Sequence, residues 1–200
     1  MDRTELLELH YITHIRNVSS ILKHGILSHQ KAAKYYPVSV AMTEVQARRS
    51  VRVIPQGNPL HNYACLYLHA RNPMLYKIIG NHEEIVVLRI SLNALDIPNA
   101  IIADGNASSD YTRFYPSPDG LESLHSSLVL ARYWTSDDPY EYMHKKRARC
   151  AELLVPDRIS PQLIIGAYVS SAKVQTSILQ TRFSLPVTIN RDFFFGRGGG

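Results

Sequence analysis

Glu152 stands in "KKRARCAELLVPD" (145–157), between a run of cations and a run of apolar residues. A carboxylate opening a Leu- and Val-rich strand, with Ala151 and Leu153 turned to the opposite face, can accept hydrogen bonds from a ligand hydroxyl if its own face borders a cleft. The same residue would serve equally as an edge-strand carboxylate in water or paired with Arg149. Arg49, in "ARRSVR" (47–52), is a second candidate, because a guanidinium beside a loop holds a pyrophosphate through two parallel hydrogen bonds, which Lys does less well. Arg71 leads into "NPMLY" (72–76), where a strand runs into a turn, and "YYP" (35–37) offers rings for stacking on a flat ligand or for plain edge packing. Absent are a P-loop, GxGxxG, HExxH, GxSxG and any suggestive pair of carboxylates. His10 and His14 lie four apart but straddle a predicted strand-to-helix junction, so no metal site is expected.

These side chains need elements to hold them. "LHYIT" reads as a strand, followed by a short helix in "THIRNVSSILKHGIL" with Asn17 as N-cap, a stripe of Val18, Ile21 and Leu22, and Gly25 just past its end. Residues 31–53 mix one Pro with weak helical periodicity, predicting a mobile lid-like loop with one helical turn near "TEVQARR". Strands are predicted at 63–70, 84–91, 99–104, 150–156, 163–170 and 185–190, with helical character in "SSLVLARYWTSDD" and "SAKVQTSILQTRF". The stretch from Asp104 to Arg149, rich in Pro, Gly and aromatics, reads as a long functional loop, its aromatics arguing against disorder. The fold class is α+β with few helices.

At 200 residues the chain suits one domain with a full core. Its two cysteines, Cys65 and Cys150, have no CxxC or CxxH partner, which fits a reducing cytoplasm without disulfide or zinc. "MDRTELLELH" is acidic where a secretory signal would be basic, and no apolar run approaches a membrane span, so a soluble cytoplasmic protein without a membrane partner is expected. The formal net charge of +5 favours an anionic partner, with basic residues gathered in "ARRSVR" and "KKRAR", each of which could equally be a solvated helix face. The closing "GRGGG" (196–200) reads as a disordered tail.

Four stretches in register carry a resemblance: "ITHIRNVSSILKHGILS" (12–28), "QARRSVRVIPQG" (46–57), "LHNYACLYLHARNPMLYKI" (60–78) and "RARCAELLVP" (147–156). Together they resemble the DarT family of NAD-dependent DNA ADP-ribosyltransferases, the toxins of DarT/DarG toxin–antitoxin pairs. The resemblance implies an ADP-ribosyltransferase-like split mixed sheet over residues 1–195, with NAD as co-substrate in a central cleft and no metal. It implies that Glu152 and Arg49 are catalytic, that Arg49 also holds NAD, that Tyr11, Ile12 and Thr13 line the nicotinamide side, and that Ser20 and Ser28 lie near the rest of NAD. Tyr11 departs from the His that many members carry. Residues from about 37 to 51 would be the lid over NAD, and the loop from about 104 to 152 would recognise the substrate. Single-stranded DNA is the implied acceptor, because its unstacked bases suit aromatic side chains and its phosphates suit Arg and Lys. Arg71, Met74, Asn106, Arg113, Phe114, Tyr133 and Trp134 are the candidates for the base pocket and its rim. The form "ARNPMLY" inclines toward guanine rather than thymine as target, and a DarG-type antitoxin with ADP-ribosyl-DNA hydrolase activity is the implied partner. Two other readings keep parts of this picture: the same fold acting on RNA or protein, and a single-strand-binding module without catalysis.

Overall fold

The computed structural model describes residues 1–55 and 57–197. Gly198–Gly200, part of the expected tail, lie outside the described residues. The strands are β1 Leu9–His14, β2 Ile26–Leu27, β3 Tyr63–Tyr67, β4 Ile85–Ile90, β5 Ile101–Ala103, β6 Phe114–Pro116, β7 Glu152–Pro156, β8 Arg158–Ile159, β9 Ile164–Val169 and β10 Val187–Ile189. The α-helices are α1 Val18–His24, α2 His29–Ala32, α3 Thr43–Val51, α4 Pro73–Lys77, α5 Ser126–Val129, α6 Pro139–Ala148 and α7 Ala172–Leu179.

Eight strands form one sheet in the order β10-β9-β4-β1-β3-β7-β5-β6, while β2 and β8 pair separately. Only β10 and β9 run parallel; the other pairings are antiparallel, so the sheet is mixed. β1 pairs with β4 along its whole length, from Leu9↔Ile90 to His14↔Ile85, but meets β3 at the single position His10↔Tyr67. The sheet is therefore split between β1 and β3, and the two halves diverge around a cleft. The continuous apolar runs of β4 and β7 are buried on both faces, as central strands must be. The larger core cluster packs Val18 and Ile21 of α1 and Val174 and Ile178 of α7 against Leu66, Leu88 and Leu153 of the sheet.

All six strands expected after β1 are present, each slightly shorter than its apolar run. Three were not expected: β6, β2 and β8, each two or three residues long with no room for a period to show. α1 forms over the expected residues and ends at Gly25, whose φ of +83° favours glycine. Asn17 does not cap it; its amide is used elsewhere, as described below. The single turn expected near "TEVQARR" is the nine-residue α3. Helical character in "SSLVLARYWTSDD" is confined to α5, because the carbonyls of Val129 and Arg132 are taken by the guanidinia of Arg149 and Arg71 instead of by further helical amides. The 104–149 stretch also contains α6, begun by Asp138, which accepts from the Tyr140 amide at 2.8 Å, and by Pro139 in the first turn.

Candidate active site

Glu152 opens β7 between β3 and β5, with Tyr67 and Ala103 as its register partners. It is not an edge-strand carboxylate: its side chain is 1% exposed, and its partner is Arg49 rather than Arg149. Arg49 reaches in from α3, where Nη1 donates to Glu152 Oε1 at 3.3 Å and Nη2 to Oε2 at 3.1 Å. The same Nη2 lies 2.8 Å from Cys65 Sγ on β3. α3 itself buries no residue, so this contact is a main tie of the helix to the sheet.

Burial alone would lower the pKa of Arg49, but the Glu152 carboxylate and its hydrogen bonds outweigh it and raise the value well above the ordinary arginine range. Arg49 is a fixed cation in this arrangement. Burial pushes the Cys65 and Cys150 thiols up to about 12, with Glu152 adding to the rise in each, so neither is a thiolate nucleophile near neutral pH. Tyr11 is likewise pushed to about 12 by burial, and Tyr67 rises well above its ordinary value by burial and the nearby Glu152 charge.

A cavity of about 1000 Å³ opens over the pair. Tyr11, Ile12 and Thr13 of β1, Arg49 and Glu152 all line it, as do Met74 and Asn106. One wall is the 37–42 segment, held by Asn17: its Nδ2 donates to Val38 O and its Oδ1 accepts from Val38 N, each at 2.9 Å, while Nδ2 also reaches Thr13 Oγ1 at 3.1 Å. Ser20 and Ser28 do not line the cavity. Ser20 lies on α1, and Ser28 is buried with its hydroxyl accepting from the Lys31 amide at the start of α2.

The remaining five residues assigned to a base pocket fall in two other places. Arg71 is buried, with Nε donating to Asp192 O at 3.1 Å, and it lies over the rings of Tyr133 and Phe195, close to Trp134. Arg113 is exposed and Phe114 half-buried on β6, the Phe114 ring 5.7 Å from the Arg52 guanidinium. Distinct from both, Arg147 of "KKRAR" is bound to both oxygens of Asp104 at 3.0 Å and to Tyr111 O at 2.7 Å. Arg149 is 1% exposed and hydrogen-bonded to Val129 O, Arg71 O and His69 Nδ1. These two are not a solvated face; they staple the long loop to the sheet.

Several lining residues were not singled out from the sequence. Cys65 and Tyr67 alternate along β3, so the period of two puts them on one face once the strand is known. Gln46 and Arg49 are three apart on α3, and Gln46 Oε1 meets His61 Nε2 at 3.2 Å, with His61 stacked on His29 at 4.0 Å between centroids. No single-sequence signal pairs these two imidazoles.

A sheet split over a cleft, with a buried carboxylate at the start of a central strand and a guanidinium bridging to it, has the architecture of the ADP-ribosyltransferase fold. The model of the family described as DarT, ssDNA thymidine ADP-ribosyltransferase, matches residues 10–195, and the chain belongs to that family. A fusion protein of Thermosipho africanus, DNA ADP-ribosyl transferase–DNA ADP-ribosyl glycohydrolase, is 30% identical over 94% of this chain and 49% of its own length. The chain thus spans about half of that relative. The DNA ADP-ribosyl transferase of Thermus sp. (strain 2.9) is 30% identical over 98% of this chain and its whole length. Thermosipho africanus DarTG, solved in complex with ADP-ribose, superposes with a TM-score of 0.83 at 30% identity over 94% of this chain and 51% of that one. Thermus sp. 2.9 DarT in complex with ADP-ribosylated ssDNA gives 0.80 at 27% identity over 94% and 96%, and the same protein in complex with NAD+ gives 0.74 at 25% over 92% and 96%. Among the described residues, no helix is long and apolar enough to cross a membrane.

Proposed function

We propose that this chain transfers ADP-ribose from NAD to a base of single-stranded DNA and releases nicotinamide. The observation that carries the reading is the buried Arg49–Glu152 pair at the floor of a cavity of about 1000 Å³, at the upper end of the range that holds ligands of this size. The solved relatives support it: Thermus sp. 2.9 DarT was obtained with NAD+ and with ADP-ribosylated ssDNA. Residues 1–195 are read as one DarT-type domain.

Nicotinamide is already cationic in NAD, so it departs without a general acid, and positive charge builds on the ribose in an oxocarbenium-like transition state. Glu152 as carboxylate favours that charge and accepts a hydrogen bond from the ribose 2′-hydroxyl. A carboxylate has about four acceptor positions and Arg49 uses two, so acceptor capacity is left for the sugar. Arg49, kept as a cation by Glu152, balances negative charge on the diphosphate or on the reacting base, whose nitrogen gives up its proton as the bond to ribose forms. Tyr11, Ile12 and Thr13 supply the wall beside nicotinamide.

Guanine is proposed as the base, on the form "ARNPMLY" at 70–76; the family description names thymidine. The Thermosipho fusion of transferase and glycohydrolase supports a toxin role with a DarG-type partner that removes ADP-ribose from DNA. Two free cysteines fit a reducing cytoplasm.

The test is incubation with NAD and four single-stranded oligonucleotides, each lacking one base type, read by intact mass. A gain of one ADP-ribose lost only without guanine supports reaction and base together. Loss only without thymine keeps the reaction and replaces the base. NAD consumption with every oligonucleotide unmodified moves the acceptor to RNA or protein, and no NAD consumption overturns the enzyme.

A further inference from the structure

Three aromatic rings from distant parts of the chain meet outside the cavity. Tyr76 of α4 lies edge-on to Phe195 (centroids 5.0 Å apart, planes at 69°) and to Trp134 (6.0 Å, 77°), and Trp134 and Phe195 meet at 6.0 Å and 87°. Trp134 and Phe195 are half-buried, but packing alone does not account for Tyr76, which is 56% exposed, beside Tyr133 at 61%. The cluster is nevertheless held firmly. Arg71 lies 4.5 Å from the Phe195 centroid and 5.3 Å from that of Tyr133, and Arg132 Nη2 binds Asp192 Oδ1 at 2.6 Å, fastening the C-terminal segment to the long loop.

Its surroundings are cationic. Lys77 and Arg132, each within two residues of a ring in sequence, are exposed, and the Asp192 carboxylate is already engaged by Arg132. It is also continuous with the cavity, since Met74 and Lys77, on the same short helix as Tyr76, line the cavity wall. An exposed ring edged by cations is what a single strand needs, a flat surface for a base and positive charge for its phosphates.

We infer that Tyr76, held edge-on by Trp134 and Phe195, is a stacking platform for a nucleobase flanking the one held in the cavity, with Lys77 and Arg132 at the strand's phosphates. The inference rests on the single-stranded DNA reading and adds a second base subsite to it.

Trp134 is the one tryptophan of the chain, so its fluorescence reports on this platform alone. Titration in the absence of NAD with a single-stranded oligonucleotide should quench it, whereas an abasic sugar–phosphate strand of equal length should not. Tyr76→Ala and Phe195→Ala should each raise the KM for the oligonucleotide about tenfold, the loss of one stacked base, with Tyr76→Phe restoring it. Equal response to the two strands, a silent Trp134, or wild-type KM in the Ala variants would overturn the platform. Quenching by the base-bearing strand without any ADP-ribose transfer keeps the platform and overturns the transferase reading. Transfer with Trp134 silent does the reverse.

Discussion

Arg49 and Glu152, 103 residues apart in sequence, are joined by two hydrogen bonds of 3.3 and 3.1 Å while their side chains are 12% and 1% exposed. One contact thus does two things: it docks a helix that buries nothing of its own, and it keeps Arg49 charged in the cavity.

Glu152→Ala leaves a buried guanidinium without its carboxylate, a change that costs about 3 kcal/mol or more in buried pairs. Thermal unfolding should register a fall of roughly 10 °C, given ~2–4 °C per kcal/mol for a domain of this size. Replacing both partners, as Glu152→Gln with Arg49→Met, should recover most of the stability and none of the ADP-ribose transfer. If the double variant regained transfer, the pair would be structural only.

Arg49→Lys keeps a positive charge but removes the two-point geometry that reaches both oxygens of Glu152. Transfer should fall by about 10- to 100-fold, the order expected when one charge-assisted hydrogen bond is lost. Single-turnover assays on NAD and an oligonucleotide read this directly, and a rate within twofold of wild type would contradict it.

Asn17 grips both backbone groups of Val38. Asn17→Leu removes those bonds, worth about 1 kcal/mol each, and so loosens the cavity wall without touching the Arg49–Glu152 pair. Amide exchange at 38–42 should accelerate by at least about tenfold and the KM for NAD should rise, with kcat the lesser effect. Unchanged exchange would show that other contacts hold the segment.

His69 is pushed down to about 3 by burial and by the neighbouring Arg149, His10 and Arg71. Between pH 6.5 and about 3 its ring is neutral in the folded chain and takes up a proton on unfolding, so stability falls as pH falls through that window. The slope is about 1.4 kcal/mol per pH unit within that window. His69→Asn offers an oxygen near the position of Nδ1, which accepts from the Arg71 amide at 3.1 Å. Urea midpoints at pH 6.5 and 5 should differ by less in this variant than in wild type; an equal difference would place the acid sensitivity elsewhere.

The sheet was legible because central strands must be apolar on both faces, so "IVVLRI" and "ELLVP" announced themselves, while alternation alone left Glu152 open between a cleft and an edge in water. α6 was hidden for the opposite reason. It buries only Ala148, so it carries no apolar stripe, and its signals were local ones: Asp138 and Pro139 at its start and a Glu141–Lys145 pair at 2.9 Å along it. Arg149 misled because a cation in a basic run reads as solvated, whereas its partners are carbonyls of residues 20 and 78 positions away. Asn17 sat where a cap belongs, but its amide found a backbone 21 residues on. In each case the missing information was a long-range partner, which periodicity does not encode. The Arg49–Glu152 contact was of this kind too; both residues were singled out, but nothing in their spacing joined them.

Ala103 and Glu152 are register partners on adjacent strands. The chain between them returns once, as β6 beside β5, and then leaves the sheet until β7, so the two ends of the excursion are set by neighbouring strands. The entropic cost of closing such an excursion grows only slowly with its length. The register of β5 and β7 therefore holds the carboxylate, and the stretch 135–138, where no residue is buried, can change length without displacing it.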